Sequence, residues 1–283
     1  MTTLHELERT ATEACTVGGA YLRDAYRAED TDVDAGVHDV KSSADTGAER
    51  RILEVIRAAF PDHPIVAEES GRHEGSGEYT WLVDPLDGTN NFESGLPAFA
   101  TAMTVLEAAD SGSSIPDSEP VLGVVYVPLL DDLYVAARGG GVRHDGQPVD
   151  GDSDASPETA TAVSVIGHDV KRRPEQAAVS ESINRALEDR CKRRLESWSP
   201  TVHWGLLARG RLDGIVCYRP DAEEQLLGEL FAVESGLLTA RGGESSEGRD
   251  GGNSEDRDEW FVAAGNQAVF DALREVVDET VRR

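Results

Sequence analysis

The sequence predicts an α+β fold, and three observations carry that prediction. Apolar residues recur with helical period at both ends of the chain, short β-type apolar blocks cluster between them, and the two kinds do not alternate as strict βαβ units. A length of 283 residues suits one large domain or two small coupled halves.

Leu4, Leu7, Ala11, Ala14, Val17, Tyr21 and Ala25 recur at three- and four-residue steps and predict a first helix. Ala48, Ile52, Val55, Ile56 and Ala59 share one face of a second, which Phe60-Pro61 stops because proline offers no N–H to continue it. Strand-like blocks follow at Ile65–Ala67, Thr80–Val83, Thr101–Leu106, Val121–Val127 and Leu133–Ala136, with a Ser/Asp/Pro loop expected over Ala109–Pro120. The acidic stretch Asp150–Glu158 is the best boundary, dividing residues 1–152 from 153–283. Beyond it the pattern predicts a strand (Ala162–Ile166), a helix (Pro174–Glu188), a helical run (Val202–Leu207), a strand (Gly214–Tyr218) and a helix (Glu223–Ser235). A Gly/Ser/Glu/Asp loop (Gly242–Asp258), a strand (Trp260–Ala263) and a final helix (Gln267–Val281) complete the chain.

Composition excludes several classes of function. Lys and Arg number 27 against 54 Asp and Glu, a net charge of −27. Only Lys41, Lys171 and Lys192 are lysines. Such a surface repels nucleic-acid phosphates and anionic lipid, so neither is an expected partner. No apolar run approaches the ~18 residues of a membrane span, and Met1–Arg9 lacks the basic-then-apolar pattern of a signal peptide. Cys15, Cys191 and Cys217 are odd in number and far apart, which indicates neither a disulfide framework nor a zinc site. A cytoplasmic protein is the expectation. Acidity with so little Lys resembles proteins adapted to concentrated salt, where the Debye length falls to ~3 Å at 1 M. The hydrophobic residues, 39% of the chain, fall in periodic blocks and argue against general disorder. The His residues His5, His38, His63, His73, His144, His168 and His203 show no metal-ligand spacing and are read as surface or packing residues.

The chemistry concentrates in Trp81-Leu-Val-Asp-Pro-Leu-Asp-Gly-Thr-Asn-Asn-Phe92. A strand delivers Asp84, Pro85 fixes a turn, and Asp87 follows three residues later. Two carboxylates and the Leu86 carbonyl are oxygens of the kind Mg²⁺ takes, and Gly88-Thr89 exposes N–H groups suited to an anion. Simpler readings exist: Glu68 and Glu69 as a solvated pair, Asp45 as a helix N-cap, Thr89 as a turn hydroxyl.

The string Asp84–Phe92 resembles the first signature of the inositol monophosphatase family, Mg²⁺-dependent, lithium-sensitive phosphatases that include archaeal fructose-1,6-bisphosphatases. Further matches sit in family order: Asp39-Val-Lys-Ser-Ser-Ala-Asp45 with Glu49, Pro61–Ser70 ending in a Glu pair, Gly123–Pro128, Gly139–Gly146, Gly210–Gly214, Glu234-Ser-Gly236 and Ala263–Asn266. The resemblance implies a layered αβαβα sandwich, a homodimer, and a site of two or three Mg²⁺ ions. Glu68, Asp84 and the Leu86 carbonyl would hold the first ion, and Asp84 and Asp87 the second. A weaker third would sit near Glu68. Asp45 would pair with Thr89 and, with Glu68, orient and deprotonate the attacking water. Gly88 and Thr89 N–H groups would hold the phosphate.

Two departures qualify the substrate. The family's second signature has a Trp-Asp pair ahead of Glu-Ala-Gly-Gly; counting from Asp213 forward and Glu234 backward places Glu224 at the metal-binding Asp and Glu223 at the Trp. Asp221 is a substitute ligand, and a further reading makes these acids first-turn helix residues. The family's Gly-Ser/Thr-Ala-Ala turn beside the sugar aligns with Trp198-Ser199-Pro200-Thr201. Cys217 stands where some members place a hydroxyl-binding acid, and Arg193 and Arg194 are available to a substrate phosphate. The expected activity is phosphomonoester hydrolysis of a small polyol or sugar phosphate, inositol-1-phosphate or fructose-1,6-bisphosphate. The alternatives are a 3′-phosphoadenosine-type nucleotide phosphatase, with Trp198 as a stacking face, and a catalytically weak paralogue that binds phosphorylated ligands.

Overall fold

A computed structural model describes residues 2–28, 33–35, 40–107, 118–196, 198–242 and 259–281. Residues 109–117 and 243–258 of the two expected loops lie outside the described residues, as do Asp39 and the side chain of Glu223.

The elements in chain order are α1 (Leu4–Ala28), β1 (Val33–Ala35), β2 (Val40–Ser42), α2 (Ser43–Ala59), β3 (Ile65–Ala67), β4 (Gly71–His73), β5 (Tyr79–Asp87), α3 (Thr89–Glu93), β6 (Ala100–Glu107), β7 (Pro120–Val127), β8 (Asp132–Ala137), β9 (Gly141–His144) and β10 (Gln147–Val149). They continue with β11 (Thr161–Ile166), α4 (Pro174–Arg190), β12 (Arg193–Glu196), α5 (Pro200–Ala208), β13 (Gly214–Tyr218), α6 (Ala222–Glu234), β14 (Leu238–Gly242), β15 (Trp260–Ala264) and α7 (Gln267–Thr280). A large sheet runs in the order β10-β9-β8-β7-β6-β5-β3-β4, and a smaller one in the order β12-β11-β13-β15-β14.

Alternation along the strands builds the layers. On the large sheet, Trp81, Val83, Met103, Val105, Val124 and Tyr126 meet Leu7, Ala11, Ala14, Ile52 and Ile56 of α1 and α2. Its other face, including Ala102, Val125, Val127 and Tyr134, packs on α5 and α6 through Trp204, Leu207, Leu227 and Phe231. The same central helices receive Val163, Val165, Ile215, Cys217 and Phe261 from the small sheet. The small sheet's outer face, with Ala162, Val216, Tyr218 and Val262, takes Ile183 and Leu187 of α4 and Leu273 and Val276 of α7. The result is a five-layer αβαβα sandwich.

The structure departs from the sequence reading where periodicity is weak. Strands β4, β12 and β14 lie at sheet edges, and their sequences (GRH, RRLE, LTARG) bury too few residues to alternate visibly. Pro120 and Gly242, expected in loops, begin and end strands. The sequence predicts that β5 ends near Val83 with Pro85 in a turn; the strand runs on through Pro85 to Asp87. Among the described residues no helix is long and apolar enough to cross a membrane.

Helices α5 and α6 can share the middle layer because Gly228 leaves room for the Trp204 indole. A Cβ at Gly228 would lie 2.1 Å from the ring, and Trp204 is itself wedged edge-on against Phe261 at 6.0 Å between centroids. Gly228→Ala is therefore expected to destabilise the protein by about 1–3 kcal/mol through overpacking. Denaturant unfolding checks this: the midpoint falls, and an unchanged midpoint contradicts the packing described.

Candidate metal centre and active site

Strand β5 breaks register with β6 between its two aspartates. Asp84 pairs with Ala102 and Asp87 with Ala100, three steps on one strand against two on the other. In an unbroken strand, residues three apart point to opposite faces; one extra residue restores a common face. Pro85 lies within this bulge, where its missing N–H breaks no ladder bond. Asp84 and Asp87 thus present carboxylates on one side, and Glu224 joins them from the first turn of α6. Oxygens of the three lie within 4.8 Å of one another. Asp221, the substitute ligand, is instead the N-cap residue of α6 and sits 2.8 Å from His168 Nδ1.

Glu68 lines the same cleft as Asp84, Thr201 and Glu224. It follows β3, and its N–H donates to the Val83 carbonyl at 3.2 Å. The turn beyond it is held by buried Glu49 of α2, whose carboxylate accepts from the N–H groups of Glu69 at 2.7 Å and Ser70 at 3.0 Å. Asp45, buried in the first turn of α2, faces Thr89: the hydroxyl lies 3.2 Å from Asp45 Oδ1 and 3.1 Å from the Leu86 carbonyl, so one proton has two acceptors. Gly88 precedes Thr89 with φ +91°, and a Cβ there would come within 2.9 Å of Ser199. Glycine is required on both counts.

Asp87 ties the larger sheet to α5. Its Oδ2 accepts from the Ser199 hydroxyl at 2.6 Å, the Thr201 N–H at 3.0 Å and the Thr201 hydroxyl. In the sequence Ser199 reads only as a substrate-side residue and Thr201 has no role, because their partner is 112 and 114 residues away.

Crowding and burial shift these acids in one direction. Glu68 keeps one side open to solvent, but the surrounding cleft desolvates its carboxyl and, reinforced by Asp45 and Glu69, pushes it up to about 7. Asp84 rises well above the carboxylate range through burial and the charge of Glu68. Glu224 does the same through burial and the charges of Asp87 and Asp221. Asp87 is raised by burial to about 6, with the Ser199 and Thr201 hydrogen bonds holding it down. Carboxylates that disfavour their own ionisation, in an all-oxygen donor set, fit a hard divalent cation such as Mg²⁺.

The substrate-side expectations divide. Trp198, the chain neighbour of Ser199, is 48% exposed, with Lys171 Nζ 5.2 Å from its ring centroid. Arg194 is engaged elsewhere: its guanidinium meets Glu188 at 2.9 Å, Ser164 at 3.1 Å and Glu196 at 3.5 Å. Those acids neutralise the charge offered to a substrate. Cys217 is 0% exposed in the middle layer, where burial pushes its thiol up, so it presents no surface to a sugar. His203 is a packing residue whose Nδ1–H donates to the Ser199 carbonyl at 2.7 Å. A second acidic group, unforeseen in the sequence, gathers Asp132, His144 and Asp145. Arg209 lies 3.4 Å from Asp132 and 3.2 Å from His144, so a guanidinium already supplies positive charge there.

Comparison with known proteins gives a consistent result. The sequence model described as "Inositol monophosphatase family" matches residues 3–224. The Nus factor SuhB of Haemophilus influenzae is 29% identical over 242 residues, 85% of this chain and 84% of that protein. The fructose-1,6-bisphosphatase/inositol-1-monophosphatase of Aquifex aeolicus is 35% identical over 152 residues, 53% of this chain and 54% of its own. The solved inositol monophosphatase of Anabaena superposes with a TM-score of 0.76 at 25% identity, covering 99% of this chain and 98% of that one.

The raised acids make stability depend on pH and cation together. Glu68 and Asp87 bind protons more readily folded than unfolded. The metal-free protein therefore loses stability as pH rises from the ordinary carboxylate range near ~4 through the folded values. Thermal unfolding in EDTA is expected to show a midpoint falling over that range, and Mg²⁺ is expected to raise the midpoint most at the alkaline end. A flat or rising midpoint in EDTA contradicts the crowding.

Proposed function

This chain belongs to the inositol monophosphatase family, and we propose that it is a Mg²⁺-dependent phosphomonoesterase of small polyol or sugar phosphates. Inositol-1-phosphate and fructose-1,6-bisphosphate are the leading candidates, by likeness to the Aquifex relative. The observation that carries the reading is the convergence of Asp84, Asp87 and Glu224 within 4.8 Å, beside the Asp45–Thr89 pair.

Asp84, Asp87, Glu224, Glu68 and the Leu86 carbonyl would hold the cations. Bound Mg²⁺ supplies Lewis acidity, easing ionisation of water and offsetting charge on a phosphate. Thr89, fixed by Asp45, orients the attacking water, and Glu68 takes up its proton. The N–H groups of Gly88 and Thr89, at the start of α3, receive phosphate oxygens. Trp198 stands beside the leaving alcohol and narrows the pocket relative to a glycine there. The charge of −27 is read as adaptation to concentrated salt.

A second reading takes its support from the name Nus factor borne by the Haemophilus relative: a chain that serves as a Nus factor and not as a hydrolase. One assay separates the two. Phosphate release in molar KCl is measured on inositol-1-phosphate, fructose-1,6-bisphosphate and adenosine 3′,5′-bisphosphate, with and without Mg²⁺. Turnover that requires Mg²⁺ and favours the first two is expected. Preference for the adenosine substrate redirects the reading to a nucleotide phosphatase, and no turnover on any of them sinks the enzyme reading. Glu224→Ala is expected to raise the Mg²⁺ requirement on the order of 10–100-fold; an unchanged requirement removes Glu224 from the site.

A further inference from the structure

Asp87 differs from the other acids of the cleft in how it is held. Three donors converge on Oδ2, the hydroxyls of Ser199 and Thr201 and the Thr201 N–H. Ser199 is 0% and Thr201 1% exposed, so water does not compete for these bonds. They sit at the N-terminus of α5, whose dipole favours a carboxylate, and His203 fixes Ser199 through its carbonyl. A carboxylate oxygen carries two lone pairs. Three donors therefore fill Oδ2, the Val202 N–H adds a further bond to the carboxylate, and Oδ1 is the oxygen better placed to meet a cation.

Divalent cations differ in what they ask of a carboxylate. Mg²⁺ keeps a tight octahedron at ~2.0–2.1 Å, whereas Ca²⁺ gathers ~6–8 oxygens at ~2.3–2.6 Å and readily takes both oxygens of one carboxylate. We infer that Ser199 and Thr201 are positioning residues for cation specificity: by occupying Asp87 Oδ2 they deny two-oxygen chelation and select a small octahedral ion over Ca²⁺. This rests on the cleft being a divalent-cation site. Two departures from the family pattern meet here. Thr201 stands where the resemblance has Ala, and Glu224 where it has Asp; both line one cleft. The longer Glu224 by itself loosens the donor set toward larger ions, and the added hydroxyl of Thr201 restores the constraint at Asp87.

The test measures binding without substrate. The metal-free full chain is titrated calorimetrically with Mg²⁺ and, separately, with Ca²⁺, for the wild type, Thr201→Ser, Thr201→Val and the double variant Ser199→Ala/Thr201→Val. The Ca²⁺-to-Mg²⁺ affinity ratio is expected to rise roughly tenfold in the double variant, less in Thr201→Val, and by under about twofold in Thr201→Ser, which keeps the hydroxyl. A packing role alone would weaken both ions together and leave the ratio still. A ratio that stays constant across the variants while the wild type binds Mg²⁺ overturns this inference and spares the proposed function. A wild type that binds neither ion overturns both. Should the double variant not fold, the contrast between Thr201→Ser and Thr201→Val decides.

Discussion

Mutual repulsion among crowded carboxylates is the constraint around which the rest of this protein is arranged. Asp84, Asp87 and Glu224 converge within 4.8 Å, with Glu68 in the same cleft. Two unit charges 4 Å apart repel by about 4 kcal/mol at an effective dielectric near ~20. The donors of Ser199 and Thr201 relieve it at Asp87, and the Leu86 N–H reaches Asp84 Oδ1 at 3.1 Å; for the rest the acids are held together by a stiff frame. The bulge of β5 forces two of the acids to one side, the first turn of α6 delivers the third, and the Glu49 clamp steadies the turn after Glu68. Because the frame draws on the large sheet and on the central helices, the five-layer packing is also what keeps the acids from drifting apart.

Acidity serves two further purposes in the same chain. Glu49, Asp213 and Glu234 are backbone clamps: their carboxylates accept from main-chain N–H groups of Glu69 and Ser70, of Thr161, and of Gly139 and Gly141 respectively. Such charge-assisted bonds are stronger than neutral ones, and each closes a turn or a strand end that lacks a ladder partner. Among the described residues most other acids are exposed, several of them paired with arginine, and surface pairs of that kind add little stability. Among the described residues the acids thus divide into a cleft, a set of clamps and a solvated coat.

The helices and central strands were legible because burial on one face imposes a period on the sequence, as in α1 and β7. Edge strands such as β12 were not, since few of their side chains face a core. At the site, Asp84, Asp87 and Glu68 could be read from local motifs, and Glu224 from counting between flanking landmarks. What escaped was anything depending on facing. Cys217 holds an aligned position but alternation in β13 points it into the middle layer. Arg194 has the right charge but lies beside Glu188 and Glu196. The Thr201 hydroxyl acquires meaning only when α5 meets β5, more than a hundred residues away. Pro85 reads locally as a turn, and only the register with β6 reveals a bulge.

That bulge has an evolutionary corollary. Whether Asp87 stands beside Asp84 or on the reverse of the sheet is decided by parity, by an odd or even number of residues between them and their partners on β6. Substitutions leave parity alone, whatever else they change in the cleft. Insertions and deletions reverse it in one step. Between Asp84 and Asp87 the chain is tolerant of spelling and intolerant of length.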